Sequence, residues 1–190
     1  MAIVPDKITV TYEDYVAMPD DGNRYEVLGG GELFVSPSPS RRHQSAAGVL
    51  FTELLGFVDE HRLGVVLIAP FDVRLDETNV VQPDILFVSR ARRDIVQDNR
   101  IDGAPDLVVE VLSPSNAFHD LVRKREACAR HGVPYLSFVD PSTRSVAAYG
   151  LRDGEYTLLK HAIGTALFSA EPFPDLTIHL GELWRDPLRD

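Results

Sequence analysis

Cysteine is almost absent from this 190-residue chain, where Cys128 stands alone. One thiol excludes an intramolecular disulfide and any Cys-rich zinc cluster, and a chain without disulfides fits a reducing, cytoplasmic setting. Lysine is nearly as scarce: Lys7, Lys124 and Lys160 stand against sixteen arginines. No run of about 18 apolar residues is present, so no membrane span is expected. The N-terminal MAIVPDKITV lacks a basic segment followed by a long apolar stretch, so no secretory signal is expected either. There is no HExxH helix, and the six histidines are scattered, each reading as a surface or packing residue. A net charge of −10 is the opposite of the basic footprint that a passive DNA-binding module carries.

What remains is an ordinary globular balance, 44% apolar and 25% charged, long enough to bury a sizeable core. No repeat or long linker interrupts it. We read one domain over 1–190, with a core at about 10–160 and a segment 161–190 packing on it. The charge is uneven. Residues 1–40 hold two basic and seven acidic side chains, and residues 41–130 hold twelve and fourteen. Basic clusters stand at Arg41-Arg42, at Arg90, Arg92 and Arg93, and at Arg123-Lys124-Arg125. Taken singly each is a solvated face; their concentration leaves room for a local phosphate-binding surface.

The pattern predicts a short helix over 11–18, opened by a Thr cap with acids in its first turn. Strands follow at 25–28 and 32–36, joined by Gly29-Gly30-Gly31 in a tight turn. SPSPSRRH reads as a loop, and apolar spacing predicts a helix over 45–61, weakened by Gly48 and Gly56 unless close packing needs them. Strand signals occupy 65–69, 71–75, 84–89 and 107–112. A helix over 116–131, capped by Ser115 or Asn116, stops at Gly132-Val133-Pro134. Strands at 135–139, 146–149 and 155–160 precede a mixed tail. This order predicts an α/β (α+β) domain, a mixed central sheet flanked by helices. The apolar tail at 165–184 is also a candidate surface for a homodimer.

Segment 107–112, LVVEVL, is apolar at both parities apart from Glu110. A strand apolar on both faces is buried on both faces. An ionised carboxylate there costs several kcal/mol unless it is paired, metal-bound or neutralised. Its partner is an arginine, or a strand end open to water, or a metal. A metal needs a second ligand, and Asp106 lies roughly 13 Å away along the same strand. Asp84 opens the strand DILFVS, which pairs with 107–112 if the two are neighbours. Oxygen ligands of this kind favour Mg²⁺ or Mn²⁺ over zinc. Lys124 is the third candidate, a lysine between two arginines. A helical wheel puts Leu121, Val122 and Cys128 inward, with Lys124 at the stripe's edge and Arg125 near its centre, the last without explanation. The plain alternative for Lys124 is a solvated helix residue.

These stretches together resemble the Uma2 family of the PD-(D/E)XK nuclease superfamily: RYEVLGGGEL, SPSPSRRHQ, VVQPDILFV, GAPDLVVEVLSPSN, and Asp120 to Lys124 running on to GVPYLSFVDP. The specific part is the combination of QPD opening a strand, EVLSPS, Asp120 and Lys124 four apart, and Gly132 eight later. The resemblance implies a restriction-endonuclease-like fold with Asp84 and Glu110 as metal ligands. It implies the backbone carbonyl of Val111 as a further ligand. The superfamily lysine belongs at 112, where this chain has Leu112, and Lys124 looks like its relocated equivalent. Glu26 matches an acidic residue near the site. His43 and Gln44 match a position of unclear role, for which helix capping is as good a reading as DNA contact.

On that resemblance the expected activity is Mg²⁺- or Mn²⁺-dependent hydrolysis of DNA phosphodiesters. Asp84, Glu110, Lys124 and Glu26 carry the chemistry, and Arg90, Arg92, Arg93, Arg123 and His43 face the backbone. Two other classes stay open: a degenerate nuclease fold that binds nucleic acid or protein without cutting, and a metal-dependent hydrolase of small phosphate esters.

Overall fold

The structure is a computed structural model that describes residues 9–19, 21–36, 38–113, 119–186 and 188. The first described element is helix α1 (Tyr12–Val16), opened by the expected Thr11 cap, with a capping box that joins Thr11 and Asp14 in both directions. Strands β1 (Arg24–Leu28) and β2 (Glu32–Ser36) pair antiparallel across the glycine turn. All three of its glycines have positive φ, and a Cβ on Gly31 would stand 2.8 Å from the Val10 amide nitrogen. Helix α2 spans Arg41–His61, four residues earlier than the apolar spacing suggests. The Ser40 hydroxyl accepts the His43 N–H and starts the helix inside what the Pro/Ser composition marks as loop. A Cβ on Gly48 or Gly56 would meet nothing within 4 Å, so neither glycine serves close packing.

Next come β3 (Gly64–Ile68), β4 (Asp72–Asp76), β5 (Asn79–Val81), β6 (Ile85–Ser89), β7 (Arg100–Asp102) and β8 (Leu107–Val111). A 3-10 turn (Arg90–Ile95) separates β6 from β7. After the residues 114–118, which lie outside the described set together with the expected Ser115 or Asn116 cap, a π-helical turn (His119–Lys124) runs into α3 (Arg125–Arg130). The chain closes with β9 (Tyr135–Asp140), β10 (Ser145–Arg152), β11 (Glu155–Ile163), β12 (Leu167–Ala170), β13 (Phe173–His179) and α4 (Leu180–Leu183). The three-residue strands β5 and β7 are too short to carry a sequence period.

A six-stranded sheet, β11-β10-β9-β8-β6-β3, is mixed: β8 and β9 run parallel and its other pairs antiparallel. A five-stranded sheet, β2-β1-β5-β4-β7, lies against it. Strand alternation distributes β6 between two cores. Ile85 and Phe87 meet Leu50, Leu54 and Val58 of α2, whereas Leu86 and Val88 meet Leu28, Val73 and Ile101 of the second sheet. β8 sits between β6 and β9 and is buried along its whole length, as its two-sided apolar pattern requires. Phe168, Phe173, Ile178, Leu180 and Leu183 are buried in the same core as α2, so these apolar residues of the tail are used within the chain. No described helix is long and apolar enough to cross a membrane.

Candidate metal centre

β6 and β8 pair with Ile85 opposite Val109, which brings Asp84, just before β6, level with the C-terminal half of β8. The Val111 N–H donates to Asp84 Oδ2 at 2.8 Å. Asp106 stands at the far end of β8, where it accepts the Ser89 N–H and pairs with Arg92. It takes no part in the cluster around Asp84.

Lys124 joins these strands from the helical segment. Its Nζ lies 3.0 Å from Glu110 Oε2, 2.9 Å from Glu26 Oε1 and 3.4 Å from Asp120 Oδ1. Only 2% of its surface is exposed. The helical-wheel reading is therefore corrected: Leu121 and Val122 are 39% and 37% exposed, and Asp120, Lys124, Ala127 and Cys128 form the buried face. The π-helical turn holds more residues per turn than an α-helix, which rotates the inward stripe. Arg125 also finds its explanation. It donates to the Tyr156 carbonyl at 3.1 Å and lies over the Tyr149 ring at 5.0 Å.

Glu26 comes from β1, where its Oε1 accepts the Gln82 N–H at 2.8 Å and its Oε2 pairs with His119 at 3.0 Å. Arg24, on the same face of β1, donates to Asp84 Oδ1 at 3.0 Å. His43, buried on the first turn of α2, places Nε2 3.1 Å from Asp84 Oδ2. His43 thus faces the buried carboxylate and not the surface.

The carboxyls divide electrostatically. Burial alone would push Glu26 up, but Lys124, His119 and Arg24 hold it at about 2. Burial likewise opposes ionisation of Asp84, yet the His43 hydrogen bond and Arg24 keep it well below the usual carboxylate range. Glu110 is driven the other way: burial raises it far above the ordinary value, Asp120, Asp84 and Glu26 add to this, and Lys124 only partly offsets them. Asp120 is also raised, chiefly by burial. Lys124 stays protonated despite its burial, because Glu110, Glu26 and Asp120 surround it. Burial pushes the Cys128 thiol up to about 12, so it packs as an inert apolar group.

Four carboxylates thus face two permanent cations, Arg24 and Lys124. Glu110 and Asp120, both buried, resist ionisation for want of a further cation, and Glu110 Oε1 is buried without a hydrogen-bond partner among the described residues. Both features suit one hard divalent cation. Among the described residues no three His, Cys, Asp or Glu side chains are grouped to form a ready cage. The fit is that of a two-carboxylate site completed by backbone and water, the usual manner of Mg²⁺.

The structure brings Asp84, Glu110, Lys124, Glu26 and His43 together. It does not bring Arg90, Arg92 or Arg93 to them, because these follow the opposite end of β6, roughly 20 Å from Asp84 by strand rise. Arg123 is engaged by Glu32 at 2.6 Å and lies over the Phe34 ring. The sequence reading missed Arg24, Asp120 and His119 as members of the cluster. Arg24 was findable, since two-residue alternation puts it on the face of Glu26. His119 carries no comparable signal.

A solved crystal structure described as "a putative nuclease belonging to DUF820" from Anabaena variabilis superposes with a TM-score of 0.75 at 19% sequence identity, covering 92% of this chain and 97% of that one. That likeness establishes the shared fold. No curated protein matches the chain. The model of the Uma2 family, whose description is "Putative restriction endonuclease", matches residues 12–186. The chain therefore belongs to the Uma2 family.

Proposed function

We propose that this protein is a metal-dependent endonuclease that hydrolyses DNA phosphodiester bonds at the Asp84–Glu110–Lys124 cluster. One observation carries the reading: a buried lysine from the helical segment reaches, at 3.0 Å, the carboxylate of Glu110, whose strand is tied to Asp84 through the Val111 N–H. Asp84 and Glu110 would hold Mg²⁺ or Mn²⁺, with the Val111 carbonyl as a further oxygen donor. A divalent ion bound there supplies Lewis acidity, which acidifies water and offsets charge on a phosphate. Arg24 and His43 fix the Asp84 carboxylate, so that its oxygens point one way before substrate arrives. Lys124, held protonated by its three carboxylates, is a charged donor for the attacking water or a phosphate oxygen. Glu26 orients Lys124 from β1, at 2.9 Å.

Plasmid nicking in Mg²⁺ or Mn²⁺ tests the proposal. Wild type is expected to relax supercoiled DNA, and Asp84→Ala and Glu110→Ala to leave it intact. Equal behaviour of wild type and Asp84→Ala would refute the assignment.

A further inference from the structure

The first turns of α2 meet the β9–β10 turn and the segment after α4 around a polar pocket of about 170 Å³. Its wall carries Arg41 and Arg42 from α2, Arg144 from the turn and Arg185 from the C-terminal segment, with one carboxylate, Asp186. Arg41 donates to both oxygens of Asp186 at 2.8 Å, and Glu182 lies 3.9 Å from Arg185. Arg42 and Arg144 are exposed and form no ion pair among the described residues. Four arginines lining one pocket from three segments are unexpected on a chain of net charge −10, and the charges of Arg42 and Arg144, which no described carboxylate offsets, favour an anion there.

The pocket lies at the same end of the six-stranded sheet as the carboxylates. Val111 is level with Val139, and β9 passes directly into the turn that holds Arg144. Arg42 precedes His43, whose ring touches Asp84. The N-terminus of the 21-residue α2 adds its positive end to the same surface. Ser45 supplies a hydroxyl to the pocket wall.

We infer that this arginine pocket is the surface on which the phosphate backbone of double-stranded DNA lies as it enters the carboxylate cluster, a role that the Arg90–Arg93 turn cannot fill from the other end of β6. The inference rests on the proposed nuclease reading for its substrate, but binding can be read apart from cutting. Two lost phosphate contacts change affinity by roughly 60-fold at ~0.1 M salt and lower the salt slope by about 1.8.

Fluorescence anisotropy of a labelled duplex, in EDTA and on the Asp84→Ala background, tests it. Arg42→Glu/Arg144→Glu is expected to weaken binding by several tens-fold with a shallower salt dependence and unchanged thermal stability. Arg90→Glu/Arg93→Glu is expected to bind as the parent does. Trp184, the single tryptophan, also lines the pocket and should report duplex binding by its emission. Equal affinity of the Arg42/Arg144 variant and its parent overturns the inference, as does an equal loss in the Arg90/Arg93 variant. It is also overturned if inorganic phosphate changes Trp184 emission while the parent binds no duplex. Normal duplex binding without nicking by wild type would refute the nuclease and leave the surface intact.

Discussion

Replacing Lys124 by methionine removes the ammonium and keeps much of the side-chain volume. Glu26, Glu110 and Asp120, at 2.9, 3.0 and 3.4 Å from Nζ, would then face one another with Arg24 as the remaining permanent cation. Removing one partner from a buried ion cluster costs roughly 3–5 kcal/mol. For a chain of this size that corresponds to a Tm lowered by roughly 6–20 °C. The deficit depends on pH with a definite sign. Against its burial, Lys124 is the chief group holding Glu26 at about 2, and without the ammonium that burial raises Glu26 again. A group depressed in the folded state contributes fully above its unfolded value, and the contribution is lost as pH falls through the folded value; the variant forfeits it. Each extra proton held by the folded variant makes its stability fall relative to wild type by about 1.4 kcal/mol per pH unit. Urea and thermal unfolding in EDTA at pH 3, 4 and 5 should therefore show a deficit that grows towards pH 5. Glu110→Gln added to Lys124→Met should recover part of it, with a coupling on the order of 1–3 kcal/mol. A loss under about 1 kcal/mol with no pH dependence is what a solvated helix lysine would give, and would refute the buried-cluster reasoning.

Three further outcomes follow from the structure. Glu26 is held at about 2 against an ordinary 4.5, so its contribution is present above the unfolded value and lost as pH falls through that interval; Glu26→Gln should flatten the acid limb of the stability curve by on the order of 3 kcal/mol. Gly56→Ala, on the exposed face of α2 with open space around its Cβ, should raise stability by roughly 0.5–1 kcal/mol in urea titration. Arg125→Lys should not substitute for arginine, because the flat guanidinium both covers Tyr149 and reaches the Tyr156 carbonyl; a loss of about 1–2 kcal/mol by calorimetry is expected.

The sequence by itself determined the elements whose physics is local and periodic. Thr11 with Asp14 announces α1, three consecutive glycines announce the β1–β2 turn, and the unbroken apolar run around Glu110 announces a strand buried on both sides. That run also makes Glu110 anomalous without any structure, because its burial demands a partner. Asp84 followed once Asp106 was ruled out by strand rise. Tertiary structure decided most of the partners. His43 and His119 reach the cluster from α2 and the π-helical turn through contacts that span dozens of residues and leave no period to read, whereas Arg24 shares a strand face with Glu26 and Asp120 stands four residues from Lys124. Lys124 shows the division most clearly. A regular helical wheel leaves it at the stripe's edge, while a single π-helical turn rotates it into the core, where three carboxylates offset the cost of burying its charge.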